Sequence, residues 1–98
     1  MDLTVARKKM IDCQIRPNDV TDERLISAFH KVPRETFLPK AMAGIAYSEV
    51  ELETSSGRKL WLARDLAKLL QALEVDDSDL VLVIGAGEGY AASLLNEL

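Results

Sequence analysis

The sequence predicts an α/β chain: a largely helical N-terminal segment with one short strand, then a strand–loop–helix unit of the kind that opens a parallel sheet. Three observations carry this. Leu80, Val81, Leu82, Val83 and Ile84 are apolar at every position, the pattern of a strand covered on both faces. Gly85, Ala86, Gly87, Glu88 and Gly89 follow at once, and helical character runs on from Tyr90, with Ala91, Leu94, Leu95 and Leu98 to one side. Upstream, apolar residues recur at helical spacing in three separate stretches.

The first stretch covers residues 3–15, where Leu3, Ala6, Met10 and Cys13 form one apolar stripe. Cys13 on that stripe reads as an inert core thiol. Pro17 disfavours helix at the residue before it and ends the run within Arg16-Pro17-Asn18-Asp19. Thr21 is the expected N-cap of the second helix, with Asp22 and Glu23 in its first turn facing the positive helix end. Leu25, Phe29 and Val32 form its buried stripe, and Pro33 closes it. His30 near its end is expected to serve a helix-end or surface role.

Phe37 and Leu38 are expected to anchor an extended segment before Pro39, and residues 40–46 to add a helical turn or two. Glu49-Val50-Glu51-Leu52-Glu53 alternates strictly, which suggests a strand with one wet face, and Ser55-Ser56-Gly57 reads as a turn. Leu62, Leu66, Leu69 and Leu73 define the third helix. Asp76-Asp77-Ser78-Asp79 reads as a polar loop rather than a metal site, because the calcium-loop pattern is absent. Trp61 is expected to pack in the core.

Composition narrows the class of function. The 98 residues suffice for one small domain, and 48% hydrophobic with 29% charged residues fits a globular protein. A net charge of -4 argues against a nucleic-acid partner, since phosphate binding wants clustered cations. Arg7-Lys8-Lys9 is too short a cluster to change that and reads as a solvated helix face. The single cysteine permits no intrachain disulfide. No run reaches the roughly 20 apolar residues that span a bilayer, and no signal peptide is evident. A cytoplasmic protein with no membrane partner is expected.

The glycine loop carries the chemistry. Glycine adopts positive φ at little cost and lets a ligand approach the backbone closely. A ligand is therefore expected at the carboxyl end of the strand. The dinucleotide fingerprint G-x-G-x-x-G/A fails because Tyr90 occupies its last position, which disfavours a nicotinamide oxidoreductase. No P-loop string exists. The G-x-G-x-G spacing is instead the one seen in S-adenosylmethionine methyltransferases. Gly85, Ala86, Gly87, Glu88 and Gly89 are the candidate cofactor-binding residues.

The chain as a whole resembles the opening of protein-L-isoaspartate O-methyltransferases. The resemblance rests on Met10-Ile11-Asp12-Cys13-Gln14-Ile15-Arg16-Pro17, on Val20-Thr21-Asp22-Glu23-Arg24, and on Lys31-Val32-Pro33-Arg34 with Phe37-Leu38-Pro39. Ala46-Tyr47 is similar to the next landmark, and residues 81–90 resemble the family's first cofactor motif. The resemblance implies a Rossmann-like methyltransferase fold, here truncated: residues 1–78 as the N-terminal helical and strand-containing segment, residues 79–98 as the start of the cofactor domain. It implies S-adenosylmethionine as cofactor and isoaspartyl-containing proteins or peptides as substrate. The acidic residue that holds the cofactor ribose is expected about 20 residues past the loop, beyond Leu98, so a fragment of a longer protein is expected, inactive by itself.

Two departures from the family pattern stand out. The family's Gly-x-Gly-Gln-Thr-x-Ser stretch, whose hydroxyls contact the substrate carboxylate, has the counterpart Ser55-Ser56-Gly57-Arg58-Lys59-Leu60-Trp61. Trp61 thus stands where the serine is expected. It supplies a second hypothesis: a relative that keeps the cofactor fold without isoaspartyl methyl transfer. Val83 replaces an acidic residue often found in the first motif strand. No catalytic residue is assigned from the sequence.

Overall fold

A computed structural model describes residues 2–53, 59–75, 79 and 89–98. Helix α1 (Leu3–Met10) begins at Asp2, whose carboxylate accepts from the Thr4 and Val5 N–H groups. The helix does not stop at Met10. It continues through a widened turn, Ile11–Ile15, closed by a bond from the Arg16 N–H to the Ile11 carbonyl, and a tight turn, Arg16–Asn18. The extra residue in the wide turn rotates the buried face. Met10, Ile11 and Ile15 point inward, and Cys13 is exposed, so the expected core thiol is a surface one. Asp19, at φ 64, ends the run in the left-handed region that Asp tolerates.

Helix α2 spans Glu23–Lys31. Its cap is Asp22, which accepts from the Arg24 N–H at 3.0 Å, and not the expected Thr21. The turn before α2 is held from the third helix. The Thr21 and Asp22 N–H groups donate to Gln71 Oε1 at 2.7 and 3.0 Å, while Gln71 Nε2 donates to the Asp19 carbonyl at 2.9 Å. One amide from the third helix therefore satisfies three backbone groups of the turn before α2. Leu25, Phe29 and Val32 are buried as the spacing predicts.

A tight helical turn at Arg34–Phe37 takes up Phe37, which the sequence suggested would be extended. Leu38 is extended, and Lys40–Ile45 forms the anticipated short helix. The alternating segment yields only a two-residue strand. Strand β1 (Leu52–Glu53) pairs antiparallel with β2 (Lys59–Leu60), with Leu52 opposite Leu60 and both buried. Val50 is exposed, so the alternation does not extend the strand toward it. The predicted turn at Ser55–Gly57 lies outside the described residues.

Helix α3 (Ala63–Leu73) forms where predicted but faces the core with Ala63, Leu66, Ala67 and Leu70. Leu69 and Leu73 are 46% and 53% exposed. The leucine spacing and the alanine-containing stripe are both helical, and the core takes the stripe whose small residues allow close approach. Helix α4 (Tyr90–Asn96) starts from Gly89 and inserts Tyr90 and Leu94, with Ala91, Leu95 and Leu98 packed partly against the same cluster. The described residues thus form a helical assembly with a small two-stranded sheet. The predicted parallel strand, residues 80–84, and the loop at 76–78 lie outside them. No described helix is long and apolar enough to cross a membrane.

Candidate functional site

Of the five predicted cofactor-binding residues, Gly85, Ala86, Gly87 and Glu88 lie outside the described residues. Gly89 is described, and its φ of 90 puts it in the region where any side chain is strained. Space is not the constraint there, since a Cβ would meet only Phe37, at 4.0 Å. The backbone at this position therefore favours glycine. Gly89 turns the chain directly into α4, and its carbonyl accepts the Ser93 N–H at 2.9 Å.

Tyr90 follows at once and is 1% exposed. Its ring meets Phe29 edge-on at 6.3 Å and Phe37 at 5.4 Å. The Arg34 guanidinium lies over it, 5.1 Å from the centroid. Arg34 itself is 0% exposed. Its Nε donates to the Ala46 carbonyl and its Nη2 to the Trp61 carbonyl, both at 2.7 Å. Among the described residues its Nη1 and the Tyr90 hydroxyl have no hydrogen bond of ordinary geometry, but the two groups interact with each other inside the core. Burial pulls the Arg34 pKa below its ordinary value against the favourable pull of Tyr90 and Tyr47. It remains a cation, as guanidinium does in proteins. Burial likewise pushes the Tyr90 hydroxyl up to about 12, with the Arg34 charge opposing.

A second polar knot adjoins it. The Tyr47 hydroxyl accepts from Arg7 Nε at 2.8 Å and from the Arg34 N–H at 3.0 Å, and donates to Glu35 Oε2 at 2.5 Å. Arg7 Nη2 closes the ring onto Glu35 Oε1 at 3.0 Å, and its Nη1 donates to the His30 carbonyl. Burial raises the Tyr47 pKa, helped by Glu35 and resisted by Arg7. Arg7 is therefore a structural cation and not the solvated one its neighbours Lys8 and Lys9 suggest. His30 is exposed and takes part only through its backbone.

Trp61, expected in the core, is 52% exposed. Only its carbonyl is held, by Arg34. The ring projects from the residue directly after β2, two residues before the start of α3. Arg34 carries no sequence motif that marks it as a functional residue. The signal available was an arginine set among Val32, Pro33, Phe37 and Leu38, with no neighbouring charge except Glu35, which pairs with Arg7 instead.

The family model for protein-L-isoaspartate(D-aspartate) O-methyltransferases matches residues 5–98. Among curated proteins, the protein-L-isoaspartate O-methyltransferase of Methanoculleus marisnigri is 38% identical over 92 residues, 94% of this chain and 42% of the relative. That of Geobacter metallireducens is 39% identical over 98 residues, 100% of this chain and 45% of the relative. That of Rhodopseudomonas palustris is 39% identical over 89 residues, 91% of this chain and 41% of the relative. The chain spans less than half the length of these three relatives.

Proposed function

The chain belongs to the protein-L-isoaspartate(D-aspartate) O-methyltransferase family, and we propose that the protein is an S-adenosylmethionine-dependent carboxyl methyltransferase acting on isoaspartyl residues. The observation that carries this reading is the family match over residues 5–98, with up to 39% identity to the named enzymes. Its fold, on the same reading, is Rossmann-like from residue 79 onward, preceded by the helical segment through residue 78. A cytoplasmic site of action belongs to the proposal, on the strength of a lone cysteine, Cys13, left unpaired and exposed.

Gly85, Ala86, Gly87, Glu88 and Gly89 would hold the cofactor. The positive φ of Gly89 fits that use. When bound, S-adenosylmethionine supplies an electrophilic methyl group. An isoaspartyl carboxylate is ionised at pH 7, so no strong base is asked of the protein. What the chain must supply is orientation of the acceptor and exclusion of water. The bulky, half-exposed Trp61 ring borders the segment that would receive the acceptor and shapes how it enters.

Calorimetry on the full-length protein tests the cofactor half of this reading. S-adenosylmethionine should bind and NAD should not, and Gly89→Val should weaken binding with the fold retained. Binding of NAD alone would replace the reading with an oxidoreductase one.

A further inference from the structure

Arg34 joins two segments that the functional reading assigns to opposite partners of the reaction. Trp61 stands at the acceptor side, where the family's serine is expected. Tyr90 is the first residue past the glycine loop, on the donor side. The guanidinium touches both: Nη2 bonds the Trp61 carbonyl at 2.7 Å, and the cationic plane covers the Tyr90 ring at 5.1 Å. Nε, bonded to the Ala46 carbonyl at 2.7 Å, holds the plane's third edge.

Stability alone is a poor reason for this arrangement. A fully buried cation held among the described residues by two carbonyls and by the Tyr90 hydroxyl and ring, with no carboxylate bonded to it, pays a desolvation cost. An apolar side chain of similar volume would fill the site without that cost. What an apolar side chain cannot do is hold the Trp61 carbonyl at its edge and the Tyr90 ring at its face at once. A rigid guanidinium fork can, and a lysine ammonium reproduces only part of it. The Tyr90 ring is itself clamped by Phe29 and Phe37, so its position is passed on to α4 and Gly89.

We propose that Arg34 is a positioning residue that sets the acceptor segment at Trp61 against the start of α4 at Tyr90, and so fixes the geometry between the two bound reactants. This rests on the methyltransferase reading given above.

The test uses the full-length protein with Arg34→Met, Arg34→Lys and Tyr90→Leu, each checked for folding by thermal melting. Amide exchange is followed on peptides covering residues 61–66 and 90–95. Transfer to an isoaspartyl peptide is resolved into kcat and KM. Loss of the shared anchor should raise exchange in both segments together. Misplaced reactants should lower kcat at least tenfold in Arg34→Met, with KM for the peptide within about twofold, since an error of 1 Å can cost roughly a hundredfold. Arg34→Lys should recover part of that loss. If Arg34→Met fails to fold, Tyr90→Leu keeps both carbonyl bonds and should still lower kcat. Folded variants with wild-type kcat and unchanged exchange at either segment overturn the inference and leave the methyltransferase reading standing. A wild type that neither binds S-adenosylmethionine nor transfers methyl overturns that reading, and this inference with it.

Discussion

Arg7 and Tyr47 stand 40 positions apart, and Arg7 Nε donates to the Tyr47 hydroxyl at 2.8 Å. That hydroxyl is the node through which α1, the turn at Arg34–Phe37 and the segment after Ile45 hold one another. Tyr47→Phe keeps the ring and the Arg7–Glu35 pair but strips the Arg34 N–H of its acceptor and Glu35 of a donor. Urea unfolding should show a loss of about 1–3 kcal/mol, the cost of leaving buried groups unsatisfied. A loss under about 0.5 kcal/mol would show that water replaces the hydroxyl at no penalty.

Tyr90→Phe should behave differently at neutral pH. Among the described residues its hydroxyl has only the Arg34 guanidinium as a polar neighbour and no hydrogen bond of ordinary geometry, so removing it should change stability by less than about 1 kcal/mol. The alkaline limb separates the two proteins further. Burial raises the Tyr90 pKa to about 12, against an unfolded value near 10. The folded state then holds a proton that the unfolded chain releases. The stabilisation is fully present below pH 10 and is lost as pH rises through about 12. Unfolding midpoints between pH 9 and 12 should fall less steeply for Tyr90→Phe than for wild type; parallel curves would mean the hydroxyl is not desolvated.

The sequence made the four helices legible because each carries an apolar stripe at helical spacing or a clear stop signal. It did not show which stripe faces inward. Leu69 and Leu73 drew attention by size, yet Ala63 and Ala67 line the core, where small residues let α3 approach its neighbours. Cys13 was misplaced because a widened turn adds one residue to the period, and no local residue announces such a turn. Asp22 caps α2 in place of Thr21 because the helix begins one residue later than the Thr21 cap requires, at Glu23, where the Asp22 carboxylate reaches the Arg24 N–H. Of the glycine loop only Gly89 lies among the described residues, and its φ is 90. Arg34 was not legible as a site residue, because its three partners come from distant parts of the chain.

Trp61→Ser should leave stability within about 0.5 kcal/mol of wild type, since the ring is half exposed and only the backbone carbonyl is held. Its effect should fall on the reaction. A serine hydroxyl at this position can donate to the acceptor carboxylate, and a positioned donor is worth about 3 kcal/mol, or roughly a hundredfold in rate. Single-turnover rates for the two proteins on one isoaspartyl peptide should therefore favour the serine variant. Equal rates would mean that another group, such as Lys59, already positions the carboxylate.

The central claim is most directly tested by following a labelled methyl group from S-adenosylmethionine to peptide in the full-length protein. An isoaspartyl peptide and its ordinary aspartyl counterpart are run in parallel. The account predicts label on the isoaspartyl peptide alone, released on mild base as expected of a carboxyl ester. Cofactor binding with no label on either peptide would contradict it, and would identify a relative that keeps the cofactor fold but not the methyl transfer.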